Sequence, residues 1–309
     1  MVKIRPAFTM IELVMVIVVL GIVASIGADM IASLYTNYLR ARTLNYLEAQ
    51  TELTLEQISK RLQYRIKDSV IARKYDGNFL ALSNINVDNT YPILEWIGYS
   101  DESLLGVPLP GWSGFIDLNS TTTNKNAKTL SSPESNLAFA ASTMSDLTET
   151  KVDLTTGHEV ALIFRIPHNI GDFGWGITTN KDGNATIKVS RLNTTDTTTF
   201  KISDDEDINK TIPDIYEHYY LAHSAYAIVP DGTTAQKEQA DFNLTLYYNY
   251  QPWLDNNYTD GSSSTLAEHV SLFRFKQDQS VMHLKLCMHD ANQTGIGERI
   301  VVCKEKVVY

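Results

Sequence analysis

The sequence predicts an α+β protein in which a long N-terminal helix, half membrane-spanning and half amphipathic, packs on an antiparallel β-sheet head. Three observations carry this. An unbroken apolar run fills residues 8–28, and apolar side chains then recur at three- and four-residue steps as far as Ile66. Beyond Pro92 the chain becomes a succession of short β-branched and aromatic runs separated by Gly, Asn, Asp and Pro clusters.

The apolar run, FTMIELVMVIVVLGIVASIGA, would span roughly 31 Å as a helix, the thickness of a bilayer's hydrocarbon core. Lys3 and Arg5 precede it without an acidic residue, and Asp29 follows it, so the positive-inside bias places Met1 in the cytoplasm and the rest of the chain outside. A cleavable secretory signal and an inert anchor compete with this reading, since Ser25-Ile26-Gly27 would pass as a signal-peptidase site. Glu12 argues against both. A carboxylate five positions into an apolar run costs about 2.5–3.5 kcal/mol on insertion scales, and neither alternative has a use for it.

The segment Pro6-Ala7-Phe8-Thr9-Met10-Ile11-Glu12-Leu13 resembles the prepilin signal of the type IV pilin and type II secretion pseudopilin family. The resemblance implies a cytoplasmic leader of residues 1–7, cut between Ala7 and Phe8 by a prepilin peptidase, with methylation of the new Phe8 amine. It also implies that Glu12, the fifth mature residue, neutralises the amine of a neighbouring subunit as helices pack into a filament core. A snorkelling acid near the membrane edge is the plainer alternative for Glu12. The chain departs from the family in two places: Ala7 stands where Gly is usual before the cut, and Asp29 stands where major pilins carry proline. Loss of the leader removes Lys3 and Arg5, leaving 24 basic against 36 acidic side chains and a net charge of −12, which would repel nucleic acid.

After residues 8–28, the transmembrane and filament-core helix, residues 29–75 are expected to continue as an amphipathic helix ending near Lys74. Ile31, Leu34, Tyr38, Leu44, Leu47, Thr51, Leu55, Ile58, Leu62 and Ile66 form one face, with Glu56, Lys60, Arg61 and Arg65 opposite. Residues 76–309 form the periplasmic β-rich head. Strand-like runs lie at 91–97, 160–166, 186–189, 219–229, 242–250, 269–275, 281–287 and 300–308. The Thr-, Ser- and Asn-rich stretch 119–157 reads as a polar surface excursion holding a short helix near Leu137–Ala141.

The last three runs read as a meander. Fifteen residues separate Cys287 from Cys303, and antiparallel strands joined by such a loop could bring them into register. Many type IV pilins close this region with one disulfide, and the positions resemble that arrangement; two buried thiols are the alternative.

Catalytic signatures are missing: there is no His-Glu-x-x-His, Gly-x-Ser-x-Gly or phosphate-cradling loop, and the seven histidines are scattered. The chain is therefore expected not to be an enzyme and to need no cofactor. His218 with His223, and Cys287 with His289, are weak metal pairs, and the acidic run Asp204-Asp205-Glu206-Asp207 suggests calcium only by analogy with pseudopilins, a solvated turn being the simpler reading. Tyr216, Tyr219, Tyr220, Tyr226, Tyr247, Tyr248, Tyr250 and Trp253 crowd two strand-like runs, where core packing accounts for most and a partner surface for the surplus.

Six of the seven Asn-x-Ser/Thr sequons, Asn119, Asn184, Asn209, Asn243, Asn257 and Asn292, have Asp two residues earlier; Asn193 does not. Composition alone would give fewer than one. The pattern resembles the extended acceptor of bacterial oligosaccharyltransferases, which act on the periplasmic side, while turn preference in an Asx-rich chain is the competing explanation. Taken together, the sequence points to a minor pilin or pseudopilin in the inner membrane whose partners are the prepilin peptidase, other pilin subunits and an inner-membrane assembly platform. A large head suits the minor role. An adhesin head carried on a pilus and a membrane-anchored periplasmic enzyme are the alternatives.

Overall fold

In the computed structural model, residues 9–82, 90–175, 185–204, 214–290 and 299–309 are described. Helix α1 runs from Met10 to Gln63. It opens on a capping box: the Thr9 hydroxyl accepts from the Glu12 amide at 3.4 Å, and the Glu12 carboxylate accepts from the Thr9 amide at 3.3 Å. No residue from Met10 to Tyr46 is buried, a stretch of about 55 Å at helical rise. Leu47 is the first buried side chain, followed by Thr51, Thr54, Leu55, Ile58, Ser59 and Leu62 at helical spacing.

The helix stops about ten residues short of the expected end near Lys74. Arg65 is the reason. Its guanidinium donates to Leu62 O at 2.7 Å, to Ser280 O at 2.7 Å and to Tyr309 O at 3.5 Å, tying the end of α1 to the C-terminal strands. The Ile66 amide then pairs with Ile97 O at 2.8 Å, so sheet pairing replaces the helical ladder within two residues of the C-cap. The segment expected to continue the helix instead supplies the 3₁₀ turn Lys67–Ser69 and strand β1, Ile71–Arg73.

Among the described residues the head contains two antiparallel sheets rather than one. The larger has eight strands: β1 (Ile71–Arg73), β2 (Phe79–Ala81), β3 (Ile93–Gly98), β9 (Ser224–Asp231), β10 (Phe242–Tyr250), β11 (Ser262–Asp278), β12 (Val281–His289) and β13 (Val301–Val308). Their order across the sheet is β13-β12-β11-β10-β9-β3-β1-β2. The smaller sheet, β4-β7-β6-β5-β8, is built from β4 (Thr129–Ser131), β5 (Val160–Phe164), β6 (Ile187–Arg191), β7 (Thr199–Ile202) and β8 (Tyr219–Ala222). The run expected as one strand over 219–229 breaks at His223, its halves going to different sheets.

Four layers result. Leu55, Ile58 and Leu62 of α1 pack with Leu94, Trp96, Phe273, Leu284 and Leu286 on one face of the large sheet. The opposite face meets the small sheet through Ile93, Ile97, Ala225 and Ala227 against Ala161, Ile163 and Ala222, with Trp175 and Trp253 at the edge. The far face of the small sheet, Leu162, Val189, Phe200 and Leu221, is covered by α2 (Leu137–Leu147) through Leu137, Ala140, Ala141 and Met144. Residues 119–157 are therefore less a surface excursion than the cover of a second core, although the short helix falls where it was expected. Alternate residues of β3 and β5 serve different cores, so every residue of each is buried.

Between the sheets lies a buried charge pair. Arg73 and Glu95 project from paired strands β1 and β3 into this layer, each with both guanidinium and carboxylate heads engaged: Nε and Nη2 of Arg73 donate to the two Glu95 oxygens. The Tyr250 hydroxyl donates to Glu95 at 3.2 Å, while Arg73 also donates to Gly77 O at 3.0 Å and Trp175 O at 3.2 Å. Burial raises the Glu95 pKa, opposed by the adjacent guanidinium.

Candidate functional site

Three places carry functional chemistry: the bare half of α1, a groove where the end of α1 meets the large sheet, and the C-terminal strands. On α1 the described helix is long and apolar enough to cross a membrane, with none of that apolar stretch buried against the head. Ala7 and Phe8 lie outside the described residues. Glu12 is exposed and, in the isolated chain, occupied by the capping box with Thr9. The Thr-x-x-Glu spacing announces that box in the sequence, and it gives Glu12 a local role in addition to any intermolecular one.

Cys287 and Cys303 form a disulfide. They are direct partners across β12 and β13, in the register the meander reading required. Closing a loop of this length contributes about 3 kcal/mol in the chain-entropy view. Lys304 and Lys306, on the same strand, reach back to α1, where Lys304 meets Glu52 at 3.0 Å and Lys306 pairs with Glu56. The disulfide thus anchors the edge strand that the helix rests on. It also removes Cys287 from any metal pair with His289.

The groove, about 480 Å³, is bounded by Lys60, Arg61 and Tyr64 at the end of α1, by Tyr226 and Tyr248 of the large sheet and by Tyr99 just after β3. His223 lies at its floor, 3% exposed, and its Nδ1 has no hydrogen-bond partner among the described residues. His218, its suggested companion, is instead exposed against the Phe115 ring. Burial pushes the His223 imidazole down to about 4. The unfolded chain binds this proton below about pH 6.5 and the folded chain only below about 4, so unfolding takes up a proton between those values. Stability is complete above pH 6.5 and declines as pH falls, by about 1.4 kcal/mol per pH unit for this one group. Denaturant titrations of the detergent-solubilised chain at pH 7 and pH 5 are expected to differ by about 2 kcal/mol more in the native protein than in His223→Phe. Equal pH slopes would show that His223 does not carry this lability.

Of the tyrosines, Tyr219 and Tyr250 are core residues and Trp253 is nearly so, whereas Tyr216 is exposed beside Phe164. Tyr220, Tyr226, Tyr247 and Tyr248 are half-buried, Tyr226 and Tyr248 lining the groove. Core packing therefore explains the run only in part.

No family model, curated protein or solved structure matches this chain.

Asn184, Asn209 and Asn292 lie outside the described residues, as do Asp205, Glu206 and Asp207 of the acidic run; Asp204 pairs with Lys201 at 2.9 Å. Asn119 stands exposed in a turn whose amide donates to Asp117 Oδ1 at 2.9 Å, so the acid two residues earlier has a structural use there. The same Asx turn recurs from Asp76 to Asn78 and from Asp153 to Thr155, outside any sequon. Asn257 caps a 3₁₀ turn, its Oδ1 accepting from the Thr259 amide at 2.8 Å. Asn243 is exposed but sits in β10 paired with Asp231, and its upstream acid, Asp241, is bonded to His269 and His289. Glycopeptide mass spectrometry on protein from a host with an active transferase is expected to find sugar at Asn119 or Asn257 and none at Asn243 or Asn193. Modification of Asn243, or bare asparagine at both turn sites, would contradict this.

Asp241, His269 and His289 were not grouped by sequence reasoning. They are 28 and 48 residues apart along the chain, and only the pairing of β10 with β11 and of β11 with β12 brings them together.

Proposed function

We propose that this chain is a minor pilin or pseudopilin, inserted in the inner membrane by its first helix with the head in the periplasm, and then assembled through that helix into a type IV pilus-like or type II secretion filament. One observation carries the reading: α1 extends about 55 Å from its capping box before it buries a side chain in its own head. The apolar part of that bare stretch, which ends at Ala28, requires a bilayer or other copies of itself, and a filament core supplies the second after the first. Glu12 supports the same reading, because a carboxylate in the first turn of the apolar helix is what a processed Phe8 amine of a neighbour would need as a counter-ion. The family resemblance of Pro6–Leu13 supplies the cut between Ala7 and Phe8 and the peptidase that makes it.

A head of this size, with two sheets and four layers, suits a subunit present in few copies. The groove lined by tyrosines favours a second reading, in which the head binds a receptor as a pilus-borne adhesin. Labelled antibody against the head, applied to sheared fibres, separates the two. Sparse label along or at the base of fibres fits the minor-subunit role, label confined to tips with loss of adhesion in the deletion fits the adhesin, and absence from fibres would contradict both.

A further inference from the structure

At one end of the large sheet, Asp241 stands just before β10, His269 lies in β11 and His289 closes β12. One ligand atom from each, Asp241 Oδ1, His269 Nδ1 and His289 Nε2, lies within 4.8 Å of the other two. Asp241 Oδ1 is 3.0 Å from His269 Nδ1 and 3.1 Å from His289 Nε2. Ligand atoms about 2.0–2.1 Å from a tetrahedral ion are themselves about 3.3 Å apart, so the two contacts that Asp241 makes need to lengthen by only a few tenths of an ångström to admit one.

The hydrogen bonds around His289 give the stronger argument. Its Nδ1 faces Asp290 O at 3.1 Å, a carbonyl that can only accept, so that nitrogen donates and Nε2 is the atom turned toward Asp241. A backbone carbonyl fixing one imidazole nitrogen so that the other is presented to an ion is the arrangement metal-binding histidines adopt. In the metal-free chain Arg299 supplies the positive charge. Its Nη2 donates to His289 Nε2 and to Ala240 O at 3.0 Å, and Nη1 donates to Gln239 O at 3.2 Å. Arg299 is exposed, whereas His289 is buried. His269 adopts a φ of +55°, a left-handed conformation costly for a residue with a Cβ, at an irregularity in the pairing of β10 with β11. The bulge turns its ring to Asp241, and the two imidazoles meet edge to face at 5.6 Å.

We infer that Asp241, His269 and His289 bind a divalent transition-metal ion of the zinc class, with Arg299 as the displaceable cation that fills the place in its absence. Two imidazoles and one carboxylate suit zinc and exclude calcium, which takes oxygen ligands. The ion would clamp β10, β11 and β12 at the end where the disulfide already clamps β12 to β13. It is independent of the filament role.

The test is zinc titration of the full-length, tag-free chain in detergent, by calorimetry and by competition with a chromophoric chelator. One equivalent is expected to bind with micromolar or tighter affinity, and calcium is expected not to compete. His269→Ala and His289→Ala should each weaken binding roughly ten-fold or more, while Arg299→Ala should tighten it, because a competing cation is removed. Cobalt added to the native chain should give the visible d–d bands of a nitrogen-ligated site, a readout that stands even where an alanine variant fails to fold. No stoichiometric zinc in the native chain, or affinity unchanged in both histidine variants, would overturn the assignment, as would calcium displacing zinc.

Discussion

Glu12→Gln is expected to insert, to be processed and to fold as the native chain does, yet to enter filaments at least ten-fold less efficiently. Glutamine keeps the capping box, since its amide oxygen can accept from the Thr9 amide as the carboxylate does. What it lacks is charge. The helix around it is apolar and wholly exposed on the isolated chain, so in a packed filament the Phe8 amine of a neighbour would be buried without a counter-ion. Glu12→Leu removes cap and charge together and is expected to fail at least as severely, although it makes the segment more apolar and so easier to insert. The pair of variants separates the two roles. Counting labelled subunits in sheared fibres measures the outcome, and normal incorporation of the glutamine variant would reduce Glu12 to a helix cap.

Glu95→Ala is expected to lower the stability of the head by about 3–5 kcal/mol, the cost of leaving a buried guanidinium without its partner. Arg73 is 5% exposed and Glu95 wholly buried, so water cannot replace the lost carboxylate. The loss should exceed what the hydrogen bonds alone contribute, because Tyr250 would also lose its acceptor. Replacing both charges together, Arg73→Met with Glu95→Leu, removes the unpaired charge and is expected to restore most of the stability. Denaturant unfolding followed by tryptophan fluorescence reports this directly, Trp175 lying over the Arg73 guanidinium. A double variant as unstable as Glu95→Ala would show that Arg73 and Glu95 do not act as a charge pair.

The parts of this architecture that were legible in the sequence are those with a local signal. The apolar spacing of α1, the C-terminal meander and the register of Cys287 with Cys303 follow from periodicity and loop length. The helix end was misplaced because Ile66 continues the apolar spacing, whereas its amide is claimed by Ile97 of β3. The second sheet was hidden because β4 and β7 are short and because one continuous run, residues 219–229, feeds both sheets through a break at His223. The first half of β11, Ser262 to Glu268, carries four Ser and Thr residues in a row and lacks the apolar alternation that marks a half-buried strand. At the functional sites the contrast is sharper. Thr9 and Glu12 sit three residues apart and could be read as a cap, while Asp241, His269 and His289 meet only after three strands have paired.

The central claim, that this chain is a processed pilin-like subunit, is tested most directly by the intact mass of the protein recovered from the membranes of its own host. The expected species begins at Phe8 and carries one methyl group on its amine, and deletion of the prepilin peptidase should leave the chain starting at Met1. A mature chain cut after Gly27, or an uncut chain in a host whose peptidase is active, would contradict it.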